Sequence, residues 1–375
     1  MPNTVDIKEV SSKKEQRSFV SFPNKLYKDC PHYVPAFYSD EMKLFSKDYF
    51  YYEDSEAVYY LAYKNGKVVG RISAILQRAS NKKWNQKRVR FTRFDSIDDF
   101  EVAKALFEKV ESWAKEKKMN EVVGPLGFSD MEKEGMLVEG FDELSTFCEM
   151  YNYPYYPKFL EKLGYTKEVD WLERELRAPK VVDPRIEEIS NRMMKKAELH
   201  FAKCRNGKEI MDKYGEQFFD IVDDTYKDIY MSVPFTKKER ENMMKSFALV
   251  LSPKNLAIIL NKENKCVAFG LCFPSLSRAL LNSGGHYYPW TLFKLLRAIK
   301  HPKYIDMGLI GVRDEYKNCG IDWAILSYTM KMLSSGVYYA ETNLNLEDNL
   351  AINNTWAKFD NRIHKRRRSY VKKIV

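Results

Sequence analysis

The stretch YIDMGLIGVRDEYKNCGIDWAILSY, residues 304–328, holds the residue types and spacing best suited to chemistry. An apolar run ends at Val312, a charged turn crosses to Gly320, and an apolar helical pattern begins at once. A strand feeding a turn and then a helix gathers unpaired backbone N–H groups and the positive end of a helix dipole at one point. Such a point binds pyrophosphate with little help from side chains. Gly320 would let the backbone approach a phosphate closely, and Lys317 would add charge. The same pattern also serves as a plain strand-to-helix connection. Cys319 lies in this turn, but no histidine is near it in sequence, so it reads as an ordinary thiol and not a nucleophile. Six cysteines are scattered through the chain without a Cys-x-x-Cys pair, and metal-ligand spacing is absent. No metal is expected.

The elements that must position this turn alternate between strand and helix. AVYYLAY, an Asn65-Gly66 turn and VVGRISAIL predict a hairpin. VRFTRFD predicts a further strand, and Asp98-Asp99 marks the start of a helix with Val102, Ala105, Leu106, Val110 and Trp113 on one face. EVVGP, a helix closed by Gly164 and another strand complete this half. A linker is expected around residues 178–184, where two prolines bracket a short extended piece. Beyond it the order repeats. LHFAKCR predicts a strand, two helices follow, and NLAIILNKENKCVAFGLCF predicts strand, polar turn, strand. The segment after Gly320 predicts helix, strand, helix and a final strand, RSYVKKIV. Gly70 and Gly270 hold matching places 270 − 70 = 200 residues apart, and Lys162 and Lys358 are 358 − 162 = 196 apart, which predicts an internal repeat. The fold class is α/β, with domains at 1–179 and 180–375.

Composition bounds the function. The chain has 375 residues, 45% of them hydrophobic and 14% aromatic, enough for two packed cores. Its net charge of +10 favours phosphate-bearing partners, although much of the excess sits in one run, His364-Lys365-Arg366-Arg367-Arg368. That run reads as a solvated charged edge, with a phosphate-facing role as the alternative. No helix-turn-helix, RNP-like or zinc-finger pattern accompanies the charge, so DNA is not expected as a partner. The start of the chain shows no leader and no apolar run reaches about 18 residues, so no membrane partner and a cytoplasmic location are expected. The insert SLSRALLNSGGHYYPWTLFKLLRAIK has an apolar stripe that predicts packing against the other half, with a lid or a homodimer contact as lesser uses. The tyrosines of YNYPYY, residues 151–156, suit either a pocket lining or a core.

The whole second half resembles a domain of the GNAT acyltransferase superfamily. The family's turn pattern, Arg/Gln-x-x-Gly-x-Gly/Ala, is matched by Lys317-Asn318-Cys319-Gly320-Ile321-Asp322, led by VRDEY. By this resemblance the turn binds the pyrophosphate of acetyl-CoA or another acyl-CoA, the strand near Ile310 and Val312 pairs with pantetheine, and Glu341 and Asn349 match the family's strand acid and helix asparagine. The first half is similar to the same fold through LAYKNGKVVGRISAIL and YYPKFLEKLGY. Where its phosphate turn should stand it reads FTRFDSIDDFEVAK, whose carboxylates repel phosphate, so this half resembles a non-binding copy. The resemblance implies two tandem GNAT-like domains, each a mixed, mostly antiparallel sheet flanked by helices, similar to an uncharacterised bacterial tandem group. The implied activity is N-acyl transfer from acyl-CoA to a small-molecule or peptide amine, with Glu341 as candidate base or, alternatively, a solvent-facing strand residue. Trp356 stands where the family often has a tyrosine that protonates the departing thiolate, and an indole cannot do this. A non-catalytic ligand-binding or regulatory role is therefore the alternative, and aminoacyl transfer from tRNA a weaker one.

Overall fold

Asn65 and Gly66 adopt φ of 52° and 73°, the paired positive values that a two-residue hairpin turn of matching twist requires. They join two strands that run in register from Ser55↔Gln77 to Lys64↔Lys67. The computed structural model describes residues 4–177, 183–317 and 319–374. Most of the expected linker, and Asn318, lie outside the described residues.

The strands are β1 (Asp6–Glu9), β2 (Ser55–Lys64), β3 (Lys67–Gln77), β4 (Arg88–Ser96), β5 (Glu121–Gly124), β6 (Met136–Glu139), β7 (Thr166–Arg177), β8 (His200–Phe201), β9 (Leu256–Leu260), β10 (Cys266–Pro274), β11 (Tyr304–Val312), β12 (Tyr339–Thr342), β13 (Asn345–Leu346) and β14 (Asp360–Lys373). The helices are α1 (Lys13–Leu26), α2 (Tyr38–Lys43), α3 (Arg78–Lys83), α4 (Phe100–Glu116), α5 (Tyr155–Lys162), α6 (Pro184–Lys196), α7 (Gly207–Tyr226), α8 (Lys237–Val250), α9 (Ser277–Leu280), α10 (Pro289–Lys300), α11 (Ile321–Ser334) and α12 (Leu350–Trp356).

The mixed, mostly antiparallel α/β architecture expected from the sequence is present twice, and the two copies share one sheet. Its order is β1-β2-β3-β4-β5-β14-β7-β12-β11-β10-β9-β8. The last strand of the chain, β14, sits between β5 and β7, while β7 sits between β14 and β12. Each half thus lends the strand that closes the other. Among the described residues only β4 with β5 and β11 with β12 are parallel.

The repeat is visible in the packing. Gly70 lies opposite Ser96, and Gly270 opposite Ile310. A Cβ on Gly70 would stand 2.9 Å from Leu106 and 3.0 Å from Val102 of α4, and one on Gly270 would stand 3.1 Å from Ile325 of α11. In both halves the helix after the fourth strand crosses the sheet over a glycine. The fourth strand is irregular in both copies as well. Its pairing shifts across Arg93–Phe94 in β4 and across Gly308–Leu309 in β11. A bulge of this kind bends a strand and leaves a residue out of the ladder.

The insert packs as the sequence predicts. Leu276, Ala279, Leu280 and Leu295 join Val34, Phe37, Leu144 and Phe147 of the first half in one apolar cluster. The basic run does not. Its strand begins earlier than expected, at Asp360, and Lys365 and Arg367 are fully buried. Alternation along a central strand drives every second cation inward, where carboxylates of β7 and β12 meet them.

Candidate functional site

The parallel pairing of β11 with β12 stops at Met307↔Thr342. Past that junction β11 continues to Val312 with β10 on one side only, while the chain after β12 turns to pair with β7 at Leu346↔Trp171. The two strands therefore part, leaving an edge along Gly308–Val312 that no strand covers among the described residues.

At the far end of this edge, Gly320 opens α11 with φ +76°, a left-handed conformation that favours glycine. Among the described residues no side chain caps this helix, and the first N–H groups of a helix have no partner within it. The matching helix of the first half is closed differently. Asp99 caps α4, its carboxylate accepting from the Glu101 N–H at 3.0 Å. The carboxylate occupies that donor, and its other oxygen pairs with Lys64 at 2.7 Å, so this helix start offers no free site to a phosphate. The space beside Gly320 is not open on all sides. A Cβ would come within 2.7 Å of Met193 of α6, so close helix packing also requires glycine here.

The other predicted residues are placed as follows. Lys317 is exposed and paired with Asp314 at 2.6 Å. The Cys319 N–H donates to the Tyr316 carbonyl, and its thiol is half-buried. Ile321 is buried under α11, and Asp322 lies in the first turn of that helix. Val312 pairs with Ala268. Asn349 caps α12, its side-chain oxygen accepting from the Ile352 N–H at 3.3 Å. Trp356 is buried and donates to Asn345 at 2.8 Å, which makes it a core anchor.

Ile310 has a partner that the sequence did not announce. The Tyr226 hydroxyl, at the end of α7, accepts from the Ile310 N–H and donates to the Ile310 carbonyl, each at 3.2 Å. The equivalent residue of the first half, Ser96, is held the same way. Its N–H donates to the Tyr156 hydroxyl at 2.7 Å, and that hydroxyl donates back to its carbonyl at 3.1 Å. The two plugs differ in firmness. Tyr156 is fully buried and bonded to Tyr27 at 2.9 Å, whereas Tyr226 is half-buried beside a small cavity lined by Lys83, Asp130, Lys227 and Phe235.

Glu341 is not on a solvated face. It is buried at the strand junction, with its carboxylate 2.9 Å from the Lys365 ammonium and 3.7 Å from the His364 ring. Lys365 also reaches Glu173 at 3.0 Å, and Arg367 donates to the same carboxylate at 2.5 Å. Burial works against the charge on Glu173, but Lys365 and Arg367 outweigh it and hold the group at about 2. Glu173, Glu341 and His364 converge closely enough to bind a metal ion. The Lys365 ammonium already supplies the positive charge at both carboxylates.

Asp306 pairs in register with Glu341 and was missed in the sequence, where one acid inside YIDMGLIGV was its only signal. It is buried, with the Ser275 hydroxyl beside it and no ion-pair partner among the described residues. Burial, then the charge of Glu341, pushes it up to about 8. A buried carboxyl with a perturbed proton affinity at a strand junction is a candidate for proton transfer.

A second cavity lies in the first half, walled by Arg71, Asp95, Arg93, Glu41, Lys133 and Glu149 and by Gly284 of the insert. Arg71 pairs with Asp95 and Arg93 with Glu41, at 2.7 and 2.9 Å. Burial lowers the affinity of Lys133 for its proton and pushes Glu149 up to about 8. Tyr151 of the tyrosine cluster lines this cavity, while Tyr155 and Tyr156 bond the main chain of Ser96.

No family model matches the chain. Over 97% of its length it is 25% identical to protein YghO of Escherichia coli, of which the match covers 94%. Over 82% of its length it is 24% identical to a bacterial ceramide synthase of Caulobacter vibrioides, of which the match covers 80%. Among solved structures it is similar to a tandem GNAT protein from the clavulanic acid biosynthesis pathway, with a TM-score of 0.56 at 11% identity and 99% of both chains covered. It is also similar to a GCN5-related N-acetyltransferase from Sphaerobacter thermophilus, with a TM-score of 0.53 at 11% identity, covering 99% of this chain and 96% of that one. The bulged fourth strand and the helix that follows it over a glycine recur in both halves, and with these likenesses they establish that the chain has the tandem GNAT fold.

Proposed function

We propose that the chain transfers an acyl group from an acyl-CoA, acetyl-CoA being the first donor to test, to an amine, and that the second half holds the donor. The observation that carries this is the uncapped helix start at Gly320, at the end of an open strand edge, where the first half instead places Asp99. The amides of Gly320, Ile321 and Asp322, with Lys317, would hold the pyrophosphate, and the Ile310 and Val312 main chain would hold the pantetheine arm. Asn349 closes the neighbouring helix.

A thioester supplies an activated acyl group, and the protein must orient the amine and remove its proton. We assign proton removal to Asp306, which has no ion-pair partner among the described residues, and charge balance to Glu341, which already neutralises Lys365. The nitrogen–carbon bond forms, the carbon–sulfur bond breaks, the amine proton passes to Asp306, and CoA leaves as the thiolate and takes its proton from water. The match to a bacterial ceramide synthase favours an amine with a long apolar tail as acceptor.

Tyr226 across Ile310 and Met193 against Gly320 favour a second reading, in which both halves are closed and the protein binds no CoA. Calorimetry of the full chain with acetyl-CoA separates the two. Saturable binding that weakens in Lys317→Glu supports the donor site. An absence of binding at high protein concentration overturns it.

A further inference from the structure

Helix α10 is packed on one side only. Thr291 and Leu295 are buried, Leu295 in the apolar cluster with the first half, while Trp290, Phe293 and Leu296 face solvent with 58%, 67% and 66% of their surface accessible. Leu292 and the preceding Tyr287 and Tyr288 extend this exposed face, and Tyr288 stacks on Trp290 at 4.7 Å between ring centroids. An apolar surface of this size, with aromatic rings at its edge, marks a place where something else binds.

The charge around it selects the occupant. Residues 264–305 contain six Lys or Arg (265, 278, 294, 297, 300 and 303) and no Asp or Glu. Lys294, Arg297 and Lys300 lie on α10 itself and are exposed. Asp40, whose charge reaches Tyr287 from the first half, is paired with Lys43. Two copies of this face would bring cations against cations, which disfavours a second copy of the chain. Arg297 and Lys300 share the exposed face with Phe293 and Leu296 at helical spacing, and their long stems let the charged heads reach anionic headgroups while the Trp, Phe and Leu side chains enter the interface.

We propose that α10 docks the protein on an anionic membrane surface, with Trp290, Phe293 and Leu296 entering the interface and Lys294, Arg297 and Lys300 on the headgroups. No helix among the described residues is long and apolar enough to cross a membrane, so the contact is peripheral. This inference is independent of the donor site.

The test is flotation of the full chain with phosphatidylcholine vesicles, with and without phosphatidylglycerol. The wild type is expected to float only with the anionic vesicles and to be released by high salt. Trp290→Ser/Phe293→Ser/Leu296→Ser and, separately, Lys294→Glu/Arg297→Glu/Lys300→Glu are each expected to lose partitioning about tenfold or more. Both replace exposed side chains, and an unchanged thermal melt checks that they fold. Failure of the wild type to float, or equal flotation of the triple variants, overturns the proposal. A wild-type dimer that the apolar variant converts to monomer in sedimentation overturns it in favour of a second copy. Acetyl-CoA titration of the same variants keeps this outcome separate from the donor site.

Discussion

The Tyr226 hydroxyl satisfies both main-chain groups of Ile310, and it does so at the strand edge where a donor's amides would have to pair. Binding there must displace it, at the loss of two modest hydrogen bonds worth about 1 kcal/mol each. Tyr226→Phe leaves the N–H and carbonyl of Ile310 unpaired in the free protein and available to a ligand. The variant is expected to bind acetyl-CoA about five- to tenfold more tightly in calorimetry. Tyr156→Phe is expected to leave that affinity unchanged and to lower stability by about 1–3 kcal/mol, because the Ser96 N–H is orphaned in a sealed core.

Gly320 answers two constraints at once. Its φ of +76° disfavours any residue with a Cβ, and that Cβ would meet Met193 at 2.7 Å. Gly320→Ala is expected to cost about 1–2 kcal/mol from backbone conformation and crowding together. Adding Met193→Ala should relieve the crowding while leaving the conformational part. Urea unfolding of the single and double variants measures the difference, and strict additivity of the two would show that the residues do not meet.

Much of this site was legible in the sequence because local patterns announce local structure. The Asn-Gly turn, the strand ending at Val312, Gly320 and the helix after it are all local, and so is Asp99, which closes the first-half helix. What could not be read was set by strands far apart in the chain. Glu341 reads as a free base until β14 brings Lys365 from the far end beside it, and Lys365 reads as solvated until β7 brings Glu173. Tyr226 carries no motif at all, since its partner is a backbone group 84 residues away. The exchange of β7 and β14 between the halves decides the chemistry at the seam, and alternation within one strand cannot reveal which strands flank it.

Lys365 sits with no exposed side-chain surface between Glu173 and Glu341. Lys365→Met is expected to destabilise the chain by about 3–5 kcal/mol, because two buried carboxylates lose their common cation. Lys365→Met combined with Glu341→Gln should recover part of that loss in chemical unfolding. If the single variant were as stable as wild type, water would have to reach the cluster.

Asp306 makes the protein trade stability against pH in a defined direction. Its folded proton affinity lies near 8, against an ordinary value of about 3.9 for the unfolded chain. Between these values the native state holds a proton that the unfolded state has released, so stability falls as pH rises from about 4 to 8 and levels off beyond. Glu173 acts in the opposite sense and in another window. Its affinity is depressed to about 2, so its contribution is present above the ordinary Glu value of about 4.3 and is lost as pH falls toward 2. Asp306→Asn removes the first dependence alone. The variant is expected to be more stable than wild type by roughly 2 kcal/mol or more at pH 8 and close to it at pH 4. On the proposed reaction it also loses acyl transfer, while wild-type kcat/KM rises toward a plateau above pH 8. Unfolding curves at several pH values read the first effect and thiol release from acetyl-CoA the second. A stabilised Asp306→Asn that still turned over with the wild-type pH profile would leave Asp306 as a buried acid outside the reaction.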